Sequence, residues 1–132
     1  MIRCLLFSVA LIIGPNVFAT DTDGDGVPDA ATYLQLGADI DGEAASDRSG
    51  RSVSLSGDGL VLAVGAVGAQ SNRGVVRLYD WNGAGWVKRG ADIDGEAASD
   101  RSGGSVSLSA DGSVVAIGSI YNGGNGFAAG HV

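Results

Sequence analysis

Residues Gly37–Gly59 decide the fold, with the sequence GADIDGEAASDRSGRSVSLSGDG. The stretch returns 53 residues later at Gly90–Gly112 as GADIDGEAASDRSGGSVSLSADG, so that only two of 23 positions differ. The differences are Arg51 against Gly104 and Gly57 against Ala110. A period of 53 residues is too long for pairs of helices and is close to that of a four-stranded propeller blade. The repeat therefore predicts an all-β protein made of antiparallel, blade-like units.

Each period predicts four short strands. In the first repeat these are predicted at Ser52–Ser56, Leu60–Val64, Val75–Asp80 and Trp86 to about Arg89. Polar and apolar residues alternate in the first strand, as in a half-buried strand, whereas the second is a continuous apolar run typical of a strand covered on both faces. Asp58-Gly59 and Asn82-Gly83 suit the tight turns that close the two hairpins.

The phase of the repeat predicts an incomplete β-propeller over residues 33–132, with one full unit (37–89) and a truncated second (90–132). Tyr33–Gly37 occupies the place of a lone fourth strand before the first repeat, and Gly130–Val132 stands where a third strand would begin in the second. Seven strands and the start of an eighth cannot close a propeller, which needs about four blades. We therefore expect that the isolated protein either self-associates through open strand edges or is only loosely folded. The residues expected on incompletely covered faces are Val53, Leu55, Val64, Val106, Leu108 and Ile117.

The N-terminal 19 residues have the pattern of a secretory signal peptide. A weakly basic start precedes the apolar run Cys4–Ile13, and Val17-Phe18-Ala19 provides a cleavage site. About ten apolar residues are too few to span a bilayer. The sequence thus predicts a secreted or cell-surface protein without a membrane span after cleavage.

Composition excludes several functions. Eight basic residues against 15 acidic ones give a net charge of -7, so no basic surface is available for nucleic acid. The 23 glycines indicate many tight turns. The only histidine is His131, and no nucleophile motif accompanies it, so we expect no enzymatic activity.

An acidic segment at residues 20–32 has the spacing of a calcium loop. Carboxylates stand at positions 1, 3, 5 and 9, with Gly26 at position 6, although Thr32 replaces the usual glutamate at position 12. The expected Ca²⁺ ligands are Asp21, Asp23, Asp25, Val27 (through its carbonyl) and Asp29. The segment resembles the loop of thrombospondin type 3 repeats. The alternative is an acidic linker before the first strand.

The two repeats contain a second acidic pattern with the same 1, 3, 5, 9 spacing. Its residues are Asp39, Asp41, Glu43 and Asp47, and again Asp92, Asp94, Glu96 and Asp100. The glycine stands at position 4 instead of 6, which weakens the argument for convergence on one ion. These residues are either a second set of metal ligands or an acidic loop between strands.

The order of motifs resembles the FG-GAP repeats of integrin α-chain propellers, and more closely the FG-GAP-like repeats of bacterial and algal tandem arrays. The matching elements are Asp41–Asp47, Ser49–Val53, Asp58-Gly59, Ala63–Ala66 and Trp81–Gly83. The family's Phe-Gly is Ser49-Gly50 here, and Ser56–Gly59 is too short for the integrin-type calcium loop. The resemblance implies propeller-type blades and an extracellular setting.

Together these features predict a secreted, non-catalytic, calcium-associated repeat protein that binds an extracellular protein or glycan, or acts in adhesion. Two alternatives stay open. One is a fragment of a hydrolytic or carbohydrate-active propeller protein, and the other is a truncated gene product without independent function.

Overall fold

The computed structural model describes residues 35–132, which contain both repeats. By its internal contacts the chain divides into Met1–Gln35 and Leu36–Val132, and all described strands lie in the second part. They are β1 (Ser49–Leu55), β2 (Val61–Ala66), β3 (Val75–Trp81), β4 (Trp86–Lys88), β5 (Ile93–Asp94), β6 (Ser105–Leu108) and β7 (Val115–Gly118), with a four-residue turn, α1 (Ala69–Asn72), after β2. The predicted signal peptide and the loop at 20–32 lie outside the described residues.

The first repeat forms a complete blade-like sheet. Its strands are antiparallel and lie in the order β1-β2-β3-β4, so each strand neighbours the next in sequence. Val64 of β2 pairs with Val53 on one side and Arg77 on the other. The Asn82 side chain closes the outer hairpin by accepting hydrogen bonds from the Ala84 and Gly85 amides, both at 2.9 Å. The predicted all-β fold of four-stranded, blade-like units is confirmed.

The second repeat reproduces the inner half of this sheet. β6 and β7 pair with Val106 opposite Ile117, as Val53 lies opposite Val64. A bridge between Ser119 and His131 corresponds to the pairing of Ala66 with Val75 in the first repeat. A single β-bridge thus lies where the phase of the repeat predicts the start of a third strand.

The strand β5 was not expected from the sequence. Ile93 and Asp94 pair with Val76 and Val75, along the edge of β3 that also carries β4. β4 is short and reaches only Tyr79–Trp81. The backbone groups at the other end of β3 would be unpaired without β5, and buried backbone groups require partners.

The lone fourth strand predicted at Tyr33–Gly37 is not a strand in its described part, residues 35–37. The carbonyl of Leu36 instead accepts a hydrogen bond from the indole nitrogen of Trp86 at 3.0 Å. Trp86 also meets Trp81 edge to face, with ring centroids 5.4 Å apart. The two tryptophans therefore pack the outer hairpin.

The core is small and consists of valine and alanine. Its buried residues lie on β2, around α1 and at the start of β3: Val61, Ala63, Val64, Ala66, Val67, Ala69, Val75 and Val76. Of the residues expected on incompletely covered faces, Val53 and Leu55 are exposed and Val106, Leu108 and Ile117 are half-buried. The prediction for Val64 is wrong. Val64 is buried, because it lies on β2 between the strands β1 and β3. Among the described residues, no helix is long and apolar enough to cross a bilayer.

The two repeats contact each other through backbone and small side chains. The Ser52 hydroxyl donates to the Gly103 carbonyl at 2.7 Å, and the Leu108 amide donates to the Ser54 hydroxyl at 2.9 Å. A Cβ atom at Gly65 would overlap the Gly103 carbonyl oxygen. Glycine at both positions therefore lets the strands of one repeat approach those of the other.

The second repeat also contacts the turn α1 of the first. Gln70, Ser71 and Asn72 have positive φ angles of 50°, 61° and 60°, which are uncommon for residues with side chains. The Asn72 carbonyl accepts a hydrogen bond from the Arg101 amide at 2.9 Å. The second repeat thus supplies a backbone partner for a left-handed turn of the first.

The glycine contact can be tested with a matched pair of substitutions. Gly103 and Gly50 are equivalent residues with φ angles of 80° and 82°, so the backbone strain of an alanine is the same at both. A Cβ at Gly103 would lie 2.9 Å from Val76 Cγ2, whereas nothing lies within 4 Å at Gly50. In urea unfolding of dilute protein, Gly103→Ala should lower the free energy of unfolding by about 1–3 kcal/mol more than Gly50→Ala. Equal losses would contradict the contact.

Candidate functional site

Asp47 and Asp100 are equivalent residues that close the acidic loops. The Asp47 carboxylate accepts a hydrogen bond from the Ala44 amide at 3.1 Å, and that of Asp100 accepts one from the Ala97 amide at 2.7 Å. Both aspartates are buried, and the residues flanking them have positive φ angles: Ser46, Arg48, Ser99 and Arg101. Their carboxylates therefore hold a strained turn in each repeat.

Arg77 joins the acidic loops of the two repeats. Its side chain is only 6% exposed, and it donates to Glu43 of the first loop at 2.8 Å and to Asp92 of the second at 3.0 Å. Lys88 forms a further ion pair with Asp92. Burial would raise the pKa of Asp92, but the hydrogen bond from Lys88 and the charge of Arg77 outweigh it and lower that pKa. Arg77 thus links one carboxylate from each acidic loop.

The other four residues of the second acidic pattern form no ion pair with Arg77 in the described part of the chain. Asp94 accepts a hydrogen bond from the Gln70 amide group at 2.9 Å, and Glu96 accepts one from that of Asn122 at 2.8 Å. Asp39 and Asp41 are exposed. Over residues 35–132, the structure brings together no group of three or more His, Cys, Asp or Glu side chains that could hold a metal ion. Within the described residues, the second acidic pattern therefore does not converge on one ion-binding point.

Two further aspartates shape the inner hairpins. The Ser56 hydroxyl donates to Asp58 at 2.6 Å, and the Ser109 hydroxyl donates to Asp111 at the same distance. Hydrogen bonds from Ser109 and Ser113 lower the pKa of Asp111 from its usual 3.8 to about 2. The Ser-x-Asp-Gly sequence is thus a turn that favours the ionised carboxylate.

A cleft of about 340 Å³ lies between the second acidic loop and the loop after β7. It is lined by Glu96, Ala97, Ala98, Asp100, Tyr121, Asn122, Gly123 and Gly124. Asn122 is buried, and its amide group bonds to both Glu96 and Asp100, the latter at 3.3 Å. The buried amide therefore fixes two of the carboxylates that line the cleft.

Tyr121 gives the cleft an aromatic wall. Its ring lies 4.6 Å from the guanidinium carbon of Arg101, and 44% of the residue is exposed. An aromatic side chain can pack against the apolar face of a ligand ring. The neighbouring carboxylate and amide oxygens can accept hydrogen bonds from the hydroxyl groups of the same ligand. Sequence analysis missed this site because Tyr121 and Asn122 lie where the two repeats no longer resemble each other.

The chain has no detectable similarity to known proteins in three comparisons. No protein-family model matches the chain, and searches of curated proteins and of solved structures likewise found no match. The contacts within the described residues are therefore the basis for assigning a function.

Arg77 should be important for stability. The Asp92 side chain is only 19% exposed, and the substitution Arg77→Ala removes the buried arginine that pairs with it. Breaking such a pair should cost about 3 kcal/mol of unfolding free energy in a urea titration. The control is Arg51→Ala, an exposed arginine on β1, which should change stability by at most about 0.5 kcal/mol. Similar losses for both variants would show that the ion pairs contribute little.

Proposed function

We propose that this protein is a secreted, non-catalytic β-propeller-type repeat protein whose repeats form a scaffold for binding an extracellular ligand. The observation that carries the proposal is the use of the repeated carboxylates. Glu43 and Asp92 bind Arg77, while Asp47 and Asp100 close loops. These repeated carboxylates are thus engaged in contacts that hold the repeats together, which supports a scaffold role.

The resemblance to FG-GAP-like repeats supports the same proposal. In the first repeat, the Asp58-Gly59 turn joins β1 to β2, and Trp81-Asn82-Gly83 leads from β3 to β4. Two of the motifs on which the resemblance rests thus lie at the turns of one four-stranded sheet, and two others, Ser49–Val53 and Ala63–Ala66, lie on its strands β1 and β2. An extracellular setting agrees with the signal-peptide pattern at residues 1–19. We infer an adhesion or binding role from these features together.

The cleft beside Tyr121 is the proposed ligand site, and a glycan is the ligand class that its chemistry favours. The secreted chain should bind members of a glycan array, and Tyr121→Ala should weaken that binding about tenfold, because the aromatic face is lost. Phe127→Ala is the matched control, since Phe127 is a fully exposed aromatic residue on the same loop and does not line the cleft. Equal binding by both variants would place the ligand elsewhere, and binding only to extracellular proteins would replace the glycan by a protein ligand.

Calcium binding is proposed for Asp21, Asp23, Asp25, Val27 and Asp29, on the spacing of their sequence. Titration calorimetry of the secreted chain with CaCl₂ should show binding that an Asp23→Ala, Asp25→Ala double variant abolishes. The control is the double variant Asp39→Ala, Asp41→Ala, which removes two exposed aspartates of the second acidic pattern and should bind as the parent does. Loss of heat in the control alone would assign the ion to the repeats instead.

A further inference from the structure

Within residues 35–132, the two repeats leave opposite faces uncovered. Val53 and Leu55 of β1 are 61% and 53% exposed, whereas their counterparts in β6 are half-buried. For the serines the order is reversed, since those of β1 are half-buried and those of β6 are exposed: Ser52 and Ser54 against Ser105 and Ser107. Successive strand residues point to opposite faces of a sheet. The first repeat thus has a free apolar face and the second a free serine face.

These free faces are the two halves of the contact that already joins the repeats. Within the chain, β6 lies against β1, with Ser52 bonded to the Gly103 carbonyl and Ser54 to the Leu108 amide. The counterpart of the Gly103 carbonyl is that of Gly50, beside the free apolar face. The counterpart of Ser52 is Ser105, on the free serine face. The Ser105 hydroxyl and the Gly50 carbonyl are therefore the same donor and acceptor that bond to each other within the chain as Ser52 and Gly103.

The glycines required for close approach are present on both free faces. Gly103, which contacts Val76 in the internal interface, has Gly50 as its counterpart, and a Cβ at Gly50 would meet nothing within 4 Å. Gly65, which lies against the Gly103 carbonyl, has Gly118 as its counterpart. The three atoms nearest to a Cβ at Gly118 all belong to Ser105 of the adjacent strand. The faces have the space for a neighbour that the described residues do not supply.

We propose that a second copy of this chain docks its apolar face (Gly50, Val53 and Leu55) onto the serine face (Ser105, Ser107 and Gly118) of the first. The docking repeats the internal contact, with the Ser105 hydroxyl donating to the Gly50 carbonyl and the Leu55 amide donating to the Ser107 hydroxyl. The occupant is a copy of this chain because the contacting stretches are identical at 21 of 23 positions. The proposal does not depend on the ligand or on calcium.

The hairpin tips, where the repeats differ, are compatible with this docking. Within the chain the Gly57 amide donates to the Ala110 carbonyl at 2.8 Å. Between copies the same two residues exchange roles, so that one methyl group lies between the tips in either case. A Cβ at Gly57 would lie 3.1 Å from the Ala110 carbonyl oxygen, so the tips need to move apart by only a few tenths of an ångström. The resulting contact joins unlike faces, which makes the assembly head-to-tail.

Sedimentation of the secreted chain over a range of concentrations tests the proposal. The parent should associate beyond the monomer as its concentration rises. Val53→Lys should weaken association about 100-fold, because a lysine would be buried against the serine face. The matched control is Val87→Lys on β4, where the parent valine is 50% exposed and away from both faces. A parent that stays monomeric, or equal association of the two variants, would overturn the proposal.

Mixing two blocked variants separates head-to-tail docking from other contacts. Val53→Lys blocks the apolar face, and Ser107→Arg blocks the serine face. Each variant alone should remain folded by circular dichroism and monomeric by sedimentation. Their equimolar mixture should form a dimer and nothing larger, since each partner retains one intact face. A mixture that stays monomeric would indicate contact between like faces, and association that survives either block would indicate pairing of open strand edges. Both results would overturn the proposal.

Discussion

The close approach of backbone at Gly65 and Gly103 is the constraint on which the arrangement of the repeats depends. Any side chain at Gly65 would overlap the Gly103 carbonyl, and the strands would then have to separate. The hydroxyls of Ser52 and Ser54 reach backbone groups of the second repeat only at this spacing. The same closeness explains a core of valine and alanine, because sheets that approach through glycine leave little volume for larger side chains.

Identical acidic loops take different partners because their surroundings differ. Glu43 is bound by Arg77 of its own repeat, whereas its counterpart Glu96 meets the amide of Asn122. Asp92 reaches back to Arg77, so this arginine neutralises one carboxylate from each loop. The aspartates equivalent to each other, Asp47 and Asp100, keep the same role because their partners lie three residues away within the loop. Local contacts are thus repeated with the sequence, and distant ones are not.

The same distinction explains what could be predicted. The strands, the Asp58-Gly59 hairpin and the β-bridge at His131 follow from local pattern and from the phase of the repeat. β5 could not be predicted, because it depends on how far β4 extends along β3. The turn α1 has no sequence signature, since its backbone partner belongs to the other repeat. The cleft escaped for a similar reason, because its walls come from segments that pair only after folding.

Strict alternation in the Ser-Val-Ser-Leu strands provides both surfaces of the contact between repeats. Serines face one neighbour and apolar residues the other, so a shift of one residue in register would exchange the faces and abolish the fit. The proposed docking of a second copy uses the same alternation between the free faces of β1 and β6. The net charge of -7 opposes non-specific association of such chains. The exposed carboxylates on the loops add to this repulsion. In the proposed assembly, the exposed apolar residues of β1 offset it only where they make close contact, because apolar burial supplies the free energy of association. Association is therefore restricted to surfaces that match in shape.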